Sequence, residues 1–417
     1  LGNLTVKQKK ALKKTPSKSP GVEGWCVWTF LALTAAALIP QYLIRGSYDT
    51  FVVLYNKLRT YPGDIWYCWS HYLEKGFPYP REYPSGLQVI FTFIHRFKPS
   101  WLNYESYFIL LSLFLALFAL ATTLLLYNLV RASQGQKRRI ILYWIAAPSF
   151  LYFGLFNMDL MTVFTVVIAY YLFLEEEYYL SAAMLALGTS IKVFPIFLAP
   201  LFFFACPGKS RLGSVLTFLA VWGAFNVPFM VRNWDAWSYP YQWQINENFA
   251  KSAKDAPYWW VLHKYLGVQG KWIGRLSLLL YAGLYYYFLK KKWDLPLPRK
   301  CAGIILLFLL TDRIYSPQYN LYLLPFLVLL DFDVSPWSFY TAEILGVVHC
   351  LFLFFWKETP PFFPGLYLQL MMIVKYAALI HIFMQIWNTP LPAGGWKHTS
   401  LHLPGEEGRE KKESKIG

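Results

Sequence analysis

The sequence predicts an all-α membrane protein with about twelve transmembrane helices and juxtamembrane helices in a long first outside loop. Three observations predict it. Of 417 residues, 56% are apolar and only 15% charged, against about 25% charged in a soluble protein. Aromatic side chains make up 20%, a composition that suits interfacial belts and groove linings. Apolar runs of helical length recur from end to end. Together these exclude a disordered chain, a coiled coil, a collagen-like repeat and a small disulfide scaffold, and they speak against an ordinary soluble domain.

A lysine-rich segment, 1–24, comes first. Its six lysines and single acid, Glu23, read as a cytoplasmic anchor. The charged region is long and no small-residue cleavage site follows, unlike a signal peptide. The polytopic region then runs over 25–387, with spans expected near 25–43, 105–130, 140–156, 160–174, 178–191, 193–206 and 213–231. Further spans are expected near 272–289, 301–310 (extended to 319), 320–330, 337–356 and 366–387. Several are shorter than the ~20 residues that cross a bilayer. The segment 86–97 is apolar but short, and reads as a juxtamembrane helix. A Gly/Pro/Lys/Glu-rich tail, 388–417, reads as flexible.

Orientation follows from charge. The net charge is +16, which in a soluble protein would suggest nucleic acid. Here 22 of the 39 Lys and Arg residues fall in the two tails and the short loops that share their side. That bias places both termini in the cytoplasm and the two long aromatic loops, 45–103 and 232–271, outside. No nucleic-acid partner is expected; the lipid bilayer is. Cys26, Cys68, Cys206, Cys301 and Cys350 show no metal-ligand spacing.

Ionisable groups near membrane depth are costly, and therefore functional candidates. Asp159 in Asn157-Met158-Asp159, Lys192 in Ser190-Ile191-Lys192-Val193-Phe194-Pro195, and Asp312-Arg313 all fall on the outside face of this topology. Each has an ordinary reading as well. A lysine at a span end snorkels. An Asp-Arg neighbour pair compensates its own charge. An Asn or Asp turn caps a helix.

The segment Gly63-Asp64-Ile65-Trp66-Tyr67, then Gly76-Phe77-Pro78-Tyr79, then Glu82-Tyr83-Pro84-Ser85-Gly86 resembles the first outside loop of GT-C type polytopic glycosyltransferases. The family it resembles is 87, the polyprenyl-phosphate-mannose-dependent mannosyltransferases. Ser85 stands where that family usually has a second Pro. Phe156–Leu160, Ala186–Pro195, Asn226-Val227-Pro228 and Ser316-Pro317-Gln318-Tyr319 match in the same order, so the resemblance covers about 45–330.

What the resemblance implies is a GT-C-like arrangement and an inverting transfer without cofactor or metal at the outer face of the plasma membrane. A sugar, mannose being the family's best-known, would leave a polyprenyl-phosphate donor for a glycolipid or glycan acceptor. A leaving phosphate needs cations, here Lys192 and Arg313, with Gln318 and Tyr319 as further donors. The acceptor hydroxyl needs a carboxylate base. Asp64 matches the motif best, and Asp49 is the alternative. Glu82 is a third carboxylate, grouped with Asn157 and Asp159 as substrate-positioning residues. The aromatics Trp234, Trp237, Tyr239, Tyr241, Trp243 and Tyr258–Trp260 suit stacking on sugars, and equally an interfacial belt. A twelve-span transporter or flippase, or a non-catalytic scaffold, competes with the enzyme reading.

Overall fold

The structure, a computed structural model, describes residues 20–58, 63–75, 83–130, 138–246, 257–313, 316–355 and 363–390. These are helical, with no strand among them. In chain order the α-helices begin with α1 (Pro20–Gln41), α2 (Tyr48–Leu58), α3 (Gly63–Cys68), α4 (Ser85–Arg96), α5 (Tyr104–Leu129) and α6 (Pro148–Phe153). Next come α7 (Asp159–Leu174), α8 (Tyr178–Ile191), α9 (Ala199–Ala205), α10 (Gly208–Arg232), α11 (Trp234–Asn246) and α12 (Pro257–Leu266). The last are α13 (Gly270–Lys291), α14 (Leu297–Thr311), α15 (Leu324–Val328), α16 (Pro336–Phe355) and α17 (Phe363–Asn388).

Four helical stretches among the described residues are long and apolar enough to cross a membrane: Val27–Gly46, Tyr104–Leu129, Gly208–Arg232 and Gln369–Asn388. The expected count of about twelve is not reached on that criterion. Proline and tight turns break several of the expected spans. The run 140–156 divides at Pro148, which opens α6. The run 193–206 starts as a 3₁₀ turn, Phe194–Phe197, before α9. The run 320–330 is part of a 3₁₀ turn, Pro317–Tyr322, and the five-residue α15. Outer faces elsewhere are apolar and exposed, as on α5 (Leu110, Leu113, Leu117) and α13 (Leu276, Leu279, Leu280). Such continuous apolar surface fits a membrane protein.

The two long aromatic loops hold more helix than their Pro- and Tyr-rich composition suggests. In the first, α4 is the juxtamembrane helix expected at 86–97, and α2 and α3 come in addition, with a π-helical turn over Trp69–Glu74 extending α3. The second carries α11 and α12.

The centre of the fold is α8, which packs against α7, α10 and α4. Small residues make this possible: Ser181, Ala182, Ala186 and Ser190 are all buried along it. They allow close backbone approach between apolar helices. A Cβ at Gly86 of α4 would come within 2.6 Å of the Ser190 carbonyl oxygen. Asn226 of α10 ties the same helices with polar contacts. It accepts from the Ser85 hydroxyl (2.7 Å) and the Trp237 indole (3.0 Å) and donates to the Ser190 hydroxyl (3.3 Å). The packing of α4 against α8 brings the residues after Pro84 close to the end of α8, where Lys192 stands.

Candidate active site

Gly63 opens α3 at φ +70°, a backbone region that L side chains rarely adopt. A Cβ there would overlap the ring of Phe156. The backbone N–H groups at the start of α3 would otherwise lack partners. Two of them are met by the turn before α7: Asn157 Oδ1 accepts from Asp64 N (3.1 Å) and Phe156 O from Ile65 N (3.2 Å). Arg45 backs this turn, its guanidinium 3.7 Å from the centroid of the Phe156 ring. Gly63→Ala is expected to lower the unfolding temperature. Forcing a non-glycine residue into that conformation costs roughly 1–3 kcal/mol, before the clash with Phe156 is counted. Thermal unfolding in detergent or nanodiscs measures it.

Asp64 is therefore held, buried, at the first turn of a short helix. Its Oδ2 accepts from the backbone N–H of Met158 (2.8 Å) and from Lys192 Nζ (3.0 Å). Its Oδ1 accepts from the Tyr83 hydroxyl. Lys192 leaves α8 in extended conformation, and its Nζ also lies 3.7 Å from Asp159 Oδ2. The Tyr322 hydroxyl donates to the other oxygen of Asp159. Two carboxylates thus flank one ammonium. Burial disfavours charge on Lys192, but the Asp159 and Asp64 carboxylates outweigh it and hold the ammonium above its ordinary pKa. Lys192 also sits 4.8 Å from the centroid of the Tyr83 ring.

A cavity of about 420 Å³ opens onto this group. Asp64, Tyr83 and Lys192 form one wall, and Asp312, Arg313, Gln318 and Tyr319 another. The remainder is largely aromatic and apolar, including Phe194, Phe197, Tyr281 and Phe308. Gly274, Ser277, Leu278 and Tyr281 line it from one face of α13. Leu278 is also half exposed, beside the apolar outer face of that helix. The Ser316 hydroxyl donates to Gln318 Oε1 at 2.6 Å.

The expected site residues divide. Asp64, Lys192, Arg313, Gln318 and Tyr319 all line the one cavity. Asn157 and Asp159 are fully buried behind it, holding Asp64 and flanking Lys192, and neither is among the lining residues. Asp49 is exposed in the first turn of α2, away from the cavity lining. Glu82 and Gly76–Tyr79 lie outside the described residues. Of the second loop's aromatics, Tyr241 lines the cavity beside Pro240. Trp237 instead packs between Trp222, Trp234 and Tyr241. Trp259 is buried and donates to Thr311 O (3.0 Å). The side chains of Trp243 and Trp260 are outside the described set. Sequence reasoning missed two hydroxyl groups at the carboxylates, Tyr83 and Tyr322. Tyr83 stands inside the Tyr-Pro motif, and Tyr322 follows Tyr319 by one 3₁₀ turn.

Long apolar helices carry a buried carboxylate–lysine cluster on a partly aromatic cavity, an arrangement that fits a helical membrane protein. The family model for glycosyltransferase family 87 matches residues 83–311, more than half of the chain, and the chain belongs to that family. Tyr83 and Lys192 fall inside the matched stretch, while Asp64, Arg313, Gln318 and Tyr319 lie just beyond its ends. No curated protein and no solved structure matches the chain.

Proposed function

We propose that this membrane glycosyltransferase takes a sugar, mannose first among the candidates, from a polyprenyl-phosphate donor. It passes the sugar to a glycolipid or glycan acceptor at the outer face of the plasma membrane. The observation that carries this reading is a single one: Asp64, Lys192 and Arg313 share one cavity with a largely apolar remainder. The chemistry needs such a set. As the acceptor hydroxyl attacks the anomeric carbon, its proton passes to a free lone pair of Asp64. The new C–O bond forms as the bond from the anomeric carbon to the phosphate oxygen breaks. Polyprenyl phosphate leaves with the electron pair, and Lys192 and Arg313 stabilise its charge, aided by Gln318 and Tyr319. One displacement inverts the anomeric centre. The half-exposed Leu278 at the apolar face of α13 offers the lipid tail a way in from the side. Asn157 and Asp159 act from behind the wall, by orienting Asp64 and Lys192.

Transport is the competing function of a polytopic membrane protein. It predicts that a sugar lipid is moved and recovered intact. The enzyme reading predicts that protein in nanodiscs converts polyprenyl-phosphate-linked mannose to polyprenyl phosphate when a glycan acceptor is supplied. Recovery of unchanged donor with every acceptor tried would count against it. The expected topology has both termini cytoplasmic and is checked by labelling. Lys75→Cys and Lys209→Cys, both at exposed positions, should react with an impermeant maleimide from opposite sides of the membrane.

A further inference from the structure

We propose that Glu343, on α16, is a positioning residue for this site, through a contact with Asn320 and another with Ser149. It rests on the site reading above, and Glu343 and Asn320 lie beyond the stretch the family model matches.

Glu343 is buried, at 2% exposure. An ionised carboxylate inside an apolar helix bundle costs several kcal/mol unless its oxygens are answered. Both are answered here, by N–H donors from two different elements. Asn320 Nδ2 donates to Oε1 at 2.7 Å. The backbone N–H of Ser149 donates to Oε2 at 2.9 Å. A countercharge stands near. Lys375 of α17 is fully buried, and a Cβ at Gly346, one turn after Glu343, would lie 3.3 Å from Lys375 Nζ and 3.6 Å from Asn320 Nδ2. Gly346 leaves the gap in which the lysine and the asparagine approach α16.

The two donors belong to the two segments that shape the site. Asn320 sits in the Pro317–Tyr322 turn, whose Gln318, Tyr319 and Tyr322 line the cavity. Tyr322 donates to Asp159. Ser149 is in the first turn of α6, and from α6 the chain runs straight into Phe156, Asn157 and Met158, which hold Asp64. One buried carboxylate therefore fixes the spacing between the segment behind Asp64 and the wall that carries Gln318 and Tyr319. The carboxylate serves the two N–H donors with one oxygen each.

A charge reversal of the contact tests it in the full chain in nanodiscs. Asn320→Asp sets a carboxylate against a carboxylate. Adding Glu343→Gln gives that new carboxylate an N–H donor, and the amide oxygen can still accept from Ser149. Two readouts are taken: hydrogen exchange by segment, and protection against thermal unfolding by added polyprenyl phosphate. Asn320→Asp should raise exchange at 317–322 selectively and weaken polyprenyl phosphate on the order of tenfold, about 1.4 kcal/mol. The double variant should restore both. The proposal is overturned by unchanged exchange at 317–322, by exchange that rises equally throughout the bundle, or by a double variant no better than the single one. If polyprenyl phosphate fails to protect even the wild type, the donor reading fails, and the exchange pattern by itself decides the role of Glu343.

Discussion

Asp64→Asn is expected to stop sugar transfer while leaving donor binding in place. The substitution is close to isosteric, and the site can accept it. The amide oxygen can take the place of Oδ2, receiving Met158 N and Lys192 Nζ. The amide nitrogen then faces Tyr83, whose hydroxyl can turn to accept instead of donate. What disappears is the basic lone pair. Loss of a general base typically costs ~10²–10⁴ in rate. Asp49→Asn is the matched comparison. Asp49 is exposed on α2 and absent from the cavity lining, so its variant should turn over at close to the wild-type rate. The initial rate of polyprenyl phosphate release, measured at saturating donor for both variants, separates them. The reverse ranking would move the base to Asp49.

Lys192→Ala is expected to lose both transfer and stability. The substitution leaves Asp64 and Asp159, both buried, without the ammonium that lies between them. Removing one partner from a buried pair is destabilising by roughly 3–5 kcal/mol. Adding Asp159→Asn removes one of the stranded charges, so the double variant should regain much of the unfolding temperature. Transfer should not return, because the leaving phosphate still lacks its cation. If transfer recovers along with stability, Lys192 serves only to neutralise Asp159, and Arg313 is left as the phosphate-binding cation. Paired thermal unfolding and donor-turnover measurements distinguish the two.

Charge placed in apolar sequence pointed to several of the residues that the structure brings to one cavity, the candidate site. Lys192 and Arg313 stood out because ionisable groups near membrane depth are costly, and both line the cavity. Asp64 was singled out through its motif, and the left-handed Gly63 gives the local turn in that motif a physical basis. Asn157 and Asp159 were singled out as substrate-positioning residues, but sequence spacing could not say that they stand behind the cavity wall. That follows from how α3 docks on the turn before α7. Tyr83 and Tyr322 were harder. In a chain with 31 tyrosines, a hydroxyl aimed at a carboxylate looks like any other belt aromatic. Spans such as 140–156 and 320–330 misled because apolar runs do not report where proline and 3₁₀ turns divide them. The long loops misled in the opposite sense: the juxtamembrane helix at 86–97 was legible, but their Pro- and Tyr-rich stretches hid short helices such as α3 and α11. Glu343 and Lys375 lay in spans without any motif, and only the fold brings them to the Pro317–Tyr322 turn.

The measurement closest to the centre of this account is a cryo-EM structure of the protein in nanodiscs with polyprenyl phosphate bound. The phosphate is expected inside the cavity, within hydrogen-bonding distance of Lys192 or Arg313 and next to Gln318 and Tyr319. The prenyl chain should leave along α13 past Leu278. Phosphate density outside this cavity, with Lys192 still closed between Asp64 and Asp159, would contradict it.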